Sequence, residues 1–588
     1  MPEMRLGTFM PSSVLQRSGL ALQHWCPLIR YVSAVVTCSL ALVGAHAQSP
    51  TDELLRQQDR ERHLRELLER APDVRLERAV GADDQPLVQG ETPCFLIQRI
   101  DLVGGGADFS WALAAIDRPE DPATGRCLGS GAINQLMTRL QNRLISRGFV
   151  TSRIVAGPQD LNSGVLTLTL VPGRIREIRT ADGKDISVGL RTALPLKAGD
   201  LLNLRDIEQG LENLRRVPTA DADIQILPPR DAQARPGESD LVLDWRQERW
   251  ARINLGLDDS GTKATGRFIG SFTLSIDNGL GLNDLAYISL NHDLGGGVAG
   301  SRGTRGYTTH YSVPVGYWLL GATASGTTYH QAVAGATQTY RYGGESENGE
   351  LRLTRLFHRD AASKTSGYLK AWVRQSNNYI DDTEILVQRR RTAGWEAGLT
   401  HRAFLGSASV DLDLANRRGT GAFGALPSPE EPFGEGSARA GIWTVGVQLG
   451  VPFRLGDLGF RYLAAGRLQR SDGPLVPQDR FAIGGRYTVR GFDGEMLLTG
   501  DRGWLWRNDL ALSLRDTGAE LYLGADAGAV SGRSTTHLIG RRLAGGVIGV
   551  RGNIASVTYD VFAGAPLSRP RGFASPEGLM GFTLGWSW

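Results

Sequence analysis

The sequence predicts α+β periplasmic modules followed by an all-β transmembrane barrel. An apolar leader indicates export from the cytoplasm, and 55 of the 75 glycines lie beyond residue 250. Thirteen of the 14 tyrosines lie in the same carboxyl-terminal part, where alternating polar and apolar residues replace any helical period. Such alternation is typical of strands that face lipid on one side and an aqueous lumen on the other.

The overall composition excludes several other classes of protein. The chain of 588 residues carries 65 basic and 62 acidic side chains, so we expect no nucleic-acid partner. A hydrophobic content of 41% and a mean hydropathy of -0.20 exclude a bundle of membrane-spanning helices. The nine histidines follow no metal-binding motif, and no GxSxG nucleophile motif occurs. We therefore expect no metal, no cofactor and no enzymatic activity.

Residues 1–47 have the features of a secretory signal peptide. Arg17 and Arg30 precede an apolar run at 31–44, and small residues follow at 45–47. The apolar run is too short to span a membrane, so we predict cleavage after Ala47. A buried core helix is the alternative interpretation.

Two of the four cysteines, Cys26 and Cys38, would be removed with this leader. Cys94 and Cys127 remain, in a compartment that the leader predicts to be oxidising. We therefore expect a disulfide between them, which would tie the first strand of a module to the segment before its long helix. The alternative is a metal-binding pair, for which no further thiol or nearby histidine is present.

The mature chain divides into four further segments. Residues 48–93 contain a highly charged helix at 50–70, interpreted as solvated, and a proline-rich linker. Residues 94–173 and 174–247 each show strands around an apolar helical face, predicted at 131–147 and 204–215. Residues 248–588 show repeated alternating segments of about ten residues, the length of a tilted strand crossing a bilayer.

A membrane barrel explains residues 248–588 better than a soluble sandwich, because strands in lipid must close on themselves. The last predicted strand has an apolar face that ends with the chain, and we expect this strand to carry the membrane-insertion signal. The residues of that face are Phe582, Leu584, Trp586 and Trp588.

Alternation also indicates which residues face the lumen near position 526. Leu521, Leu523 and the alanines that follow form the apolar side of ELYLGADAGAV. Asp526 is therefore an inward carboxylate, and the two glycines at 524 and 528 leave room beside it.

The chain resembles the TpsB transporters of two-partner secretion, a branch of the outer-membrane protein-insertion superfamily. The resemblance covers nearly the whole mature chain. It rests on CFLIQRIDL, RGFVTSRI, LENLRRVP, NGLGLND at 278–284, FAIGGRYTVRGF at 481–492 and LGADAG at 523–528. The family commonly has proline where Gly279 stands, which is a detail of a turn. The barrel of this family has sixteen strands, whereas the period alone would allow fourteen to eighteen.

The resemblance implies a role for each segment. Residues 94–173 and 174–247 would be two polypeptide-transport-associated (POTRA) domains, which bind an unfolded client by strand addition. The helix at 50–70 would be a plug helix that can occupy the lumen. Residues Val489, Arg490, Gly491 and Phe492 would form the tip of a long sixth extracellular loop that folds back into the barrel. Asp526, flanked by Gly524 and Gly528, would then be the partner of Arg490.

The resemblance also implies the function. The expected activity is export of one large unfolded exoprotein with a haemagglutinin-type amino-terminal domain, and an adhesin, a haemolysin and a contact-dependent inhibition toxin are all possible clients. The other expected partners are outer-membrane lipid, the barrel assembly machinery and periplasmic chaperones. An assembly factor that inserts other barrels is the alternative, but two POTRA-like modules and a plug helix favour the transporter. A diffusion porin would leave the two modules unexplained.

Overall fold

A computed structural model describes residues 50–69, 72–76, 85–116, 118–183, 186–231, 233–514 and 517–588. The predicted leader, with Cys26 and Cys38, lies outside these ranges. Helix α1 spans Pro50–Leu68. No helix within the described ranges combines the length and the apolar character that a membrane crossing requires.

The first module packs a long helix on a small sheet. Strand β2 pairs in parallel with β5, and β4 pairs with the other side of β5, while β1 and β3 form a separate ribbon. Leu136, Leu140 and Leu144 of helix α2 are fully buried against the sheet because they recur at one helical face. The elements are β1 Phe95–Ile97, β2 Arg99–Val103, a 3-10 helix Ala107–Ala115, β3 Arg126–Leu128, α2 Ser130–Ser146, β4 Arg153–Val155 and β5 Val165–Val171.

A disulfide joins Cys94 and Cys127 in this module, with their Cα atoms 5.3 Å apart. Cys94 immediately precedes β1 and Cys127 lies in β3, directly before α2. The bond therefore crosslinks the short ribbon at the place that the sequence predicted.

The second module repeats the same plan in fewer residues. Its strands lie in the order β6, β8, β7, with β6 parallel and β7 antiparallel to β8. One face of helix α4 packs Leu204, Ile207, Leu211 and Leu214 against the sheet. The elements are β6 Arg174–Thr180, α3 Val188–Ala193, α4 Leu204–Leu214, β7 Ala220–Leu227 and β8 Glu238–Gln247.

Sixteen long antiparallel strands then close into a barrel, with one two-residue strand, β16, added at a loop. This arrangement confirms the predicted fold class and strand number. The barrel elements are β9 Ala251–Asp258, β10 Ile269–Asp277, β11 Leu285–Asp293, β12 Gly303–Val315, β13 Trp318–Ala334, β14 Thr339–Arg359, β15 Ser363–Ile380, β16 Thr383–Glu384, β17 Arg390–Leu405, β18 Ala408–Thr420, β19 Gly441–Leu455, β20 Leu458–Ser471, β23 Arg502–Leu514, β24 Ala519–Ser531, β25 Arg542–Ile554, β26 Val557–Ser568 and β27 Leu579–Ser587.

The carboxyl-terminal strand closes the barrel against the first strand. β27 pairs with β26 on one side and with β9 on the other, from Thr583 opposite Asp258 to Ser587 opposite Asn254. Leu584, Trp586 and Trp588 are exposed on the outer face, and Phe582 is partly covered by the ring of Phe268 at 6.2 Å. The predicted apolar row thus lies on the lipid-facing side of the closing seam.

Removing the disulfide tests its contribution to the first module. Cys94→Ser/Cys127→Ser opens a crosslink between residues 33 positions apart, which costs about 3–4 kcal/mol on the chain-entropy account. We expect protease to digest residues 94–173 of the full chain at a lower urea concentration, while the barrel keeps its heat-modifiable migration on gels. Ser110→Ala, at an exposed position of the same module, serves as the control. Unchanged protease resistance of the double variant would contradict the prediction.

Candidate functional site

The segment between β20 and β23, residues 472–501, is the longest loop at the strand ends remote from the two modules. It contains a short hairpin formed by β21 Phe481–Ile483 and β22 Leu498–Gly500. Between these strands the chain enters the barrel, so that Val489 and Phe492 are buried. The loop tip predicted from the sequence therefore lies inside the lumen.

Arg490 at this tip binds two carboxylates of the barrel wall. Its Nε donates to Asp526 Oδ2 at 2.7 Å and its Nη2 to Asp526 Oδ1 at 2.8 Å, which is a bidentate ion pair. The backbone N–H of Arg490 also donates to Asp526 Oδ2 at 3.0 Å. Nη2 reaches Asp509 Oδ1 of β23 at 2.6 Å. We call Arg490 with Asp526 and Asp509 the arginine anchor.

Glycines make the close approach of the loop to the wall possible. Gly491 has a φ of +91°, and a Cβ there would lie 2.4 Å from the carbonyl oxygen of Ala565. A Cβ on Gly524 would lie 2.7 Å from Arg490 Nη2, and one on Gly528 would lie 3.0 Å from Val489 Cγ2. The two glycines beside Asp526 therefore provide the room that the sequence predicted.

Apolar packing supports the arginine anchor from the loop side. Val489 and Phe492 belong to a buried cluster with the hairpin of the loop and with the walls of β23 to β25. The ring of Phe492 meets Phe573 edge to face, with centroids 5.5 Å apart. The ion pair is thereby partly shielded from water.

Sequence reasoning missed three members of this site, which are Asp509, Arg551 and Gly545. Asp509 lies on the inner face of β23, opposite Gly524 in register, and also binds Arg551 at 3.2 Å. Gly545 of β25 faces the loop so closely that a Cβ there would lie 1.8 Å from the carbonyl oxygen of Arg490. Alternation in WLWRNDLAL, with Trp504 and Trp506 facing outward, could have identified Asp509 as an inward residue.

Helix α1 lies within the barrel lumen, which corrects the interpretation of this segment as a solvated helix. Leu54 and Leu55 are only 5% and 4% exposed, and Leu54 packs with Tyr329 and Tyr342 of the wall. Gln57 donates to Thr304 Oγ1 at 2.9 Å. The helix composition misled because a barrel lumen is itself polar, and a charged helix can be buried there.

Charged side chains anchor both the middle and the end of α1 to the wall. Arg65 reaches Glu350 of β14 at 2.5 Å, and Glu61 accepts a hydrogen bond from Ser325 at 3.0 Å. Just beyond the helix, Glu69 accepts a hydrogen bond from the Tyr287 hydroxyl at 2.9 Å. Helix α1 is therefore attached to several strands of the wall.

Helix α1 and the loop 472–501 also contact each other. Arg56 Nε donates to the carbonyl oxygen of Gly494 at 3.0 Å, and Gln58 donates to that of Gln478 at 3.4 Å. Leu55 packs on Ala482 and Leu497 of the loop. The two segments thus fill the same lumen together.

The second module docks on the opposite mouth of the barrel through a charged junction. Arg359, at the end of β14, donates to Glu208 at 3.1 Å and to Glu212 at 3.0 Å, both on helix α4. The same two carboxylates accept the backbone N–H groups of Leu76 and Val74, in the chain that follows α1. One cluster therefore joins the module, the barrel and the connection to the helix.

Asp73 extends this junction. Lys364 donates to Asp73 Oδ1 at 2.6 Å, and Arg402 forms a further ion pair with Asp73. Burial alone would raise the pKa of Asp73, but the hydrogen bonds and charges of Lys364 and Arg402 outweigh burial and hold the pKa below its usual value. Asp73 therefore stays charged at neutral pH.

A closed barrel with an internal helix, an inserted loop and two α+β modules at one mouth defines the class of outer-membrane polypeptide transporters. Comparison with known proteins assigns the family. Residues 237–552 match the model described as haemolysin secretion/activation protein ShlB/FhaC/HecB. Residues 95–173 match the ShlB-type POTRA domain and residues 174–228 match a second POTRA domain.

The chain belongs to the haemolysin secretion/activation protein ShlB/FhaC/HecB family, which confirms the resemblance found in the sequence. Outer membrane transporter CdiB-2 of Burkholderia pseudomallei is 34% identical over 94% of this chain and 99% of its own length. Hemolysin transporter protein ShlB of Serratia marcescens is 26% identical over 80% of this chain and 83% of its own length. The solved structure of CdiB from Acinetobacter baumannii has a TM-score of 0.81 and 32% identity, covering 92% of this chain and 99% of that one.

The protein is thus an outer-membrane transporter of two-partner secretion with its POTRA domains in the periplasm. The loop 472–501 consequently opens toward the cell exterior, and the junction of Arg359 faces the periplasm.

Weakening one wall contact of α1 should open the lumen. Arg65→Ala removes the ion pair between α1 and Glu350 and leaves that carboxylate with the weaker contact to Lys370 at 3.8 Å, so we expect α1 to leave the lumen more often. The measurement is single-channel conductance in planar bilayers, where open events should rise roughly fivefold or more. The control is Arg62→Ala, because within the described ranges Arg62 pairs with Asp59 of its own helix and with no residue of the wall. Equal conductance of the two variants would contradict the prediction.

Proposed function

We propose that α1 and the loop 472–501 close the lumen at rest and that the cognate exoprotein displaces α1 while the arginine anchor keeps the loop in place. The observation that carries this proposal is the difference between the two attachments. The loop is held by a bidentate ion pair, a large apolar cluster and glycine contacts, whereas α1 is held by separate polar contacts and two small apolar clusters. The helix is therefore the segment that leaves at lower cost.

The client first meets the two periplasmic modules. β2 and β4 lie at the edges of the first sheet, and β6 and β7 lie at the edges of the second. An unfolded segment can add to such an edge through main-chain hydrogen bonds. Because Glu208 and Glu212 bind both Arg359 and the chain that follows α1, client binding to the second module is coupled to the position of the plug helix.

The client in this proposal is one large exoprotein with a haemagglutinin-type amino-terminal secretion domain. Periplasmic chaperones and the barrel assembly machinery act earlier, when the transporter itself folds into outer-membrane lipid. The assignments of residues 48–93, 94–173, 174–247 and 248–588 to plug and linker, two POTRA domains and barrel belong to this proposal. If the protein instead inserted other barrels, its deletion would lower the levels of unrelated outer-membrane proteins; we expect those levels to stay constant.

Breaking the arginine anchor should stop secretion without removing the barrel. Arg490→Ala leaves the buried Asp526 with the more distant Arg507, at 3.8 Å, and Asp526→Ala leaves Arg490 with Asp509 as its carboxylate partner. Because either change breaks the bidentate pair, we expect about a tenfold or larger loss of client in the medium. The double variant should lose little more than either single variant, since both changes remove the same contact. The measurement compares client in the medium with transporter in the outer membrane.

Arg439→Ala, at an exposed position of another extracellular loop, is the matched control and should secrete normally. Arg490→Lys tests geometry, because one ammonium group cannot reproduce the fork of contacts to Asp526 and Asp509. Normal secretion by Arg490→Ala or Asp526→Ala at a normal barrel level would contradict the role of the anchor.

The apolar row of the carboxyl-terminal strand should govern insertion of the barrel into the outer membrane. Trp588 is 55% exposed at the closing seam, and its backbone exchanges hydrogen bonds with Ile253 of β9. Deleting Trp588 removes both that pairing and the last aromatic side chain, so we expect a several-fold lower outer-membrane level on immunoblots. Trp318→Ala, at a lipid-facing position 41% exposed at another strand end, should leave the level near normal. Equal levels for both variants would contradict a signal in the terminus.

A further inference from the structure

The outer surface of the barrel carries a row of arginines at the extracellular strand ends. Arg418 of β18, Arg470 of β20, Arg502 of β23 and Arg542 of β25 are all exposed, and we call them the outward arginine row. Alternation along each strand places them on the lipid-facing side, together with Leu414, Leu468, Trp504 and Ile548, which are 46%, 47%, 43% and 52% exposed.

The strand register places this row at the membrane boundary. Arg418 lies directly opposite Trp395, and Arg470 lies directly opposite Trp443. Arg502 precedes Trp504 by two residues and lies nearer the extracellular end of β23. Arg542 lies opposite Ala529 of β24, and Ala529 in turn lies opposite Trp504. These tryptophans are 38%, 51% and 43% exposed. Outward tryptophans mark the interface between hydrocarbon and headgroups, so the arginines lie at headgroup level.

Within the described part of the chain, Arg418, Arg470 and Arg542 form no side-chain hydrogen bond and no ion pair. Arg502 donates only to the carbonyl oxygen of Ser471, at 3.3 Å. The carboxylates nearest the row in sequence bind backbone N–H groups instead: Asp472 accepts from Gly441, and Asp501 accepts from Leu475 and Ser534. Most of the positive charge of the row is therefore not neutralised by the protein itself.

Two of these arginines are neighbours across a strand pair. Gln469 pairs with Gly503, which puts Arg470 beside Arg502 at the next position of the same antiparallel ladder. Like charges directly opposite on one face destabilise a sheet. An anion bound between the two guanidinium groups would remove this repulsion.

Elsewhere on the barrel, the outward residues at the extracellular strand ends are different. On β14 the outward residues at the same end include Glu345 and Glu347, which accept hydrogen bonds from Tyr379 and Gln375. The outward Arg305 and Arg341 have partners in the chain, Thr328 and Asp382. Among the described residues, Arg391 of β17 is a further outward arginine whose side chain has no hydrogen bond or ion pair, so the unpaired positive charge lies on the side formed by β17 to β25.

We propose that the outward arginine row is a binding site for the phosphate groups of the phosphorylated glycolipid in the outer leaflet. Guanidinium forks bind phosphate oxygens through paired, charge-assisted hydrogen bonds. The acyl chains of such a lipid would lie against the apolar strand surface below the tryptophans. The row therefore fits a ligand with a phosphorylated head and a hydrocarbon tail, and not a soluble anion.

The test uses the full mature chain purified in mild detergent, titrated with fluorescent lipid A, a diphosphorylated glucosamine lipid. Replacing all four arginines by glutamine should weaken binding about 100-fold, because each arginine near an anionic lipid surface contributes a several-fold gain. The matched control is Arg305→Gln/Arg341→Gln, which should bind like the unmodified protein. Heat-modifiable migration on gels verifies that each variant keeps its folded barrel.

Further measurements distinguish a phosphorylated lipid from free phosphate as the ligand, and separate the contribution of charge from that of the guanidinium geometry. Lipid A without its phosphates should bind the unmodified protein as weakly as the glutamine variant binds lipid A, and inorganic phosphate at equal concentration should not compete. Replacement of the four arginines by lysine should weaken binding several-fold, but much less than replacement by glutamine, because lysine keeps the charge and loses the paired hydrogen bonds. The proposal is overturned if the glutamine variant binds normally, if removal of the phosphates has no effect, or if inorganic phosphate alone displaces the lipid.

Discussion

The lack of hydrogen-bonding water inside the bilayer is the constraint on which the rest of the structure depends. Each N–H and C=O group of residues 251–588 that lies in lipid needs a partner in the chain, and strands meet this demand only by closing into a ring. The pairing of β27 with β9 completes that ring. Closure by sixteen strands creates an interior too wide for wall side chains alone to fill. A lumen of this size has to be occupied by other segments of the same chain.

The segments that occupy the lumen are polar because the wall they meet is polar. Charged groups there are costly unless they are paired, and the described structure pairs Arg490 with two carboxylates and Arg65 with Glu350. Such pairs hold the helix and the loop in defined positions. They can also separate one at a time, which a continuous apolar core could not do. A polar lumen thus suits a channel that is closed at rest and opens for a client.

The two mouths of the barrel use charge differently. At the periplasmic mouth, Arg359, Glu208 and Glu212 form a compact cluster that joins three parts of the molecule. At the extracellular mouth, the outward arginine row leaves its charge directed toward lipid headgroups. One network holds the protein together, and the other orients it against its surroundings. Both depend on residues at strand ends, where the barrel meets water.

The sequence by itself determined the features that depend on local order along the chain. Alternation with a period of two identified the lumen-facing Asp526 and its neighbouring glycines, and the spacing of leucines identified helix α2, because these patterns follow from the backbone geometry of a single element. Only the tertiary structure decided which distant segments meet. Asp509 as a second partner of Arg490, and the burial of the charged helix α1, depend on how closure of the barrel arranges the interior. No pattern within either segment encodes that arrangement.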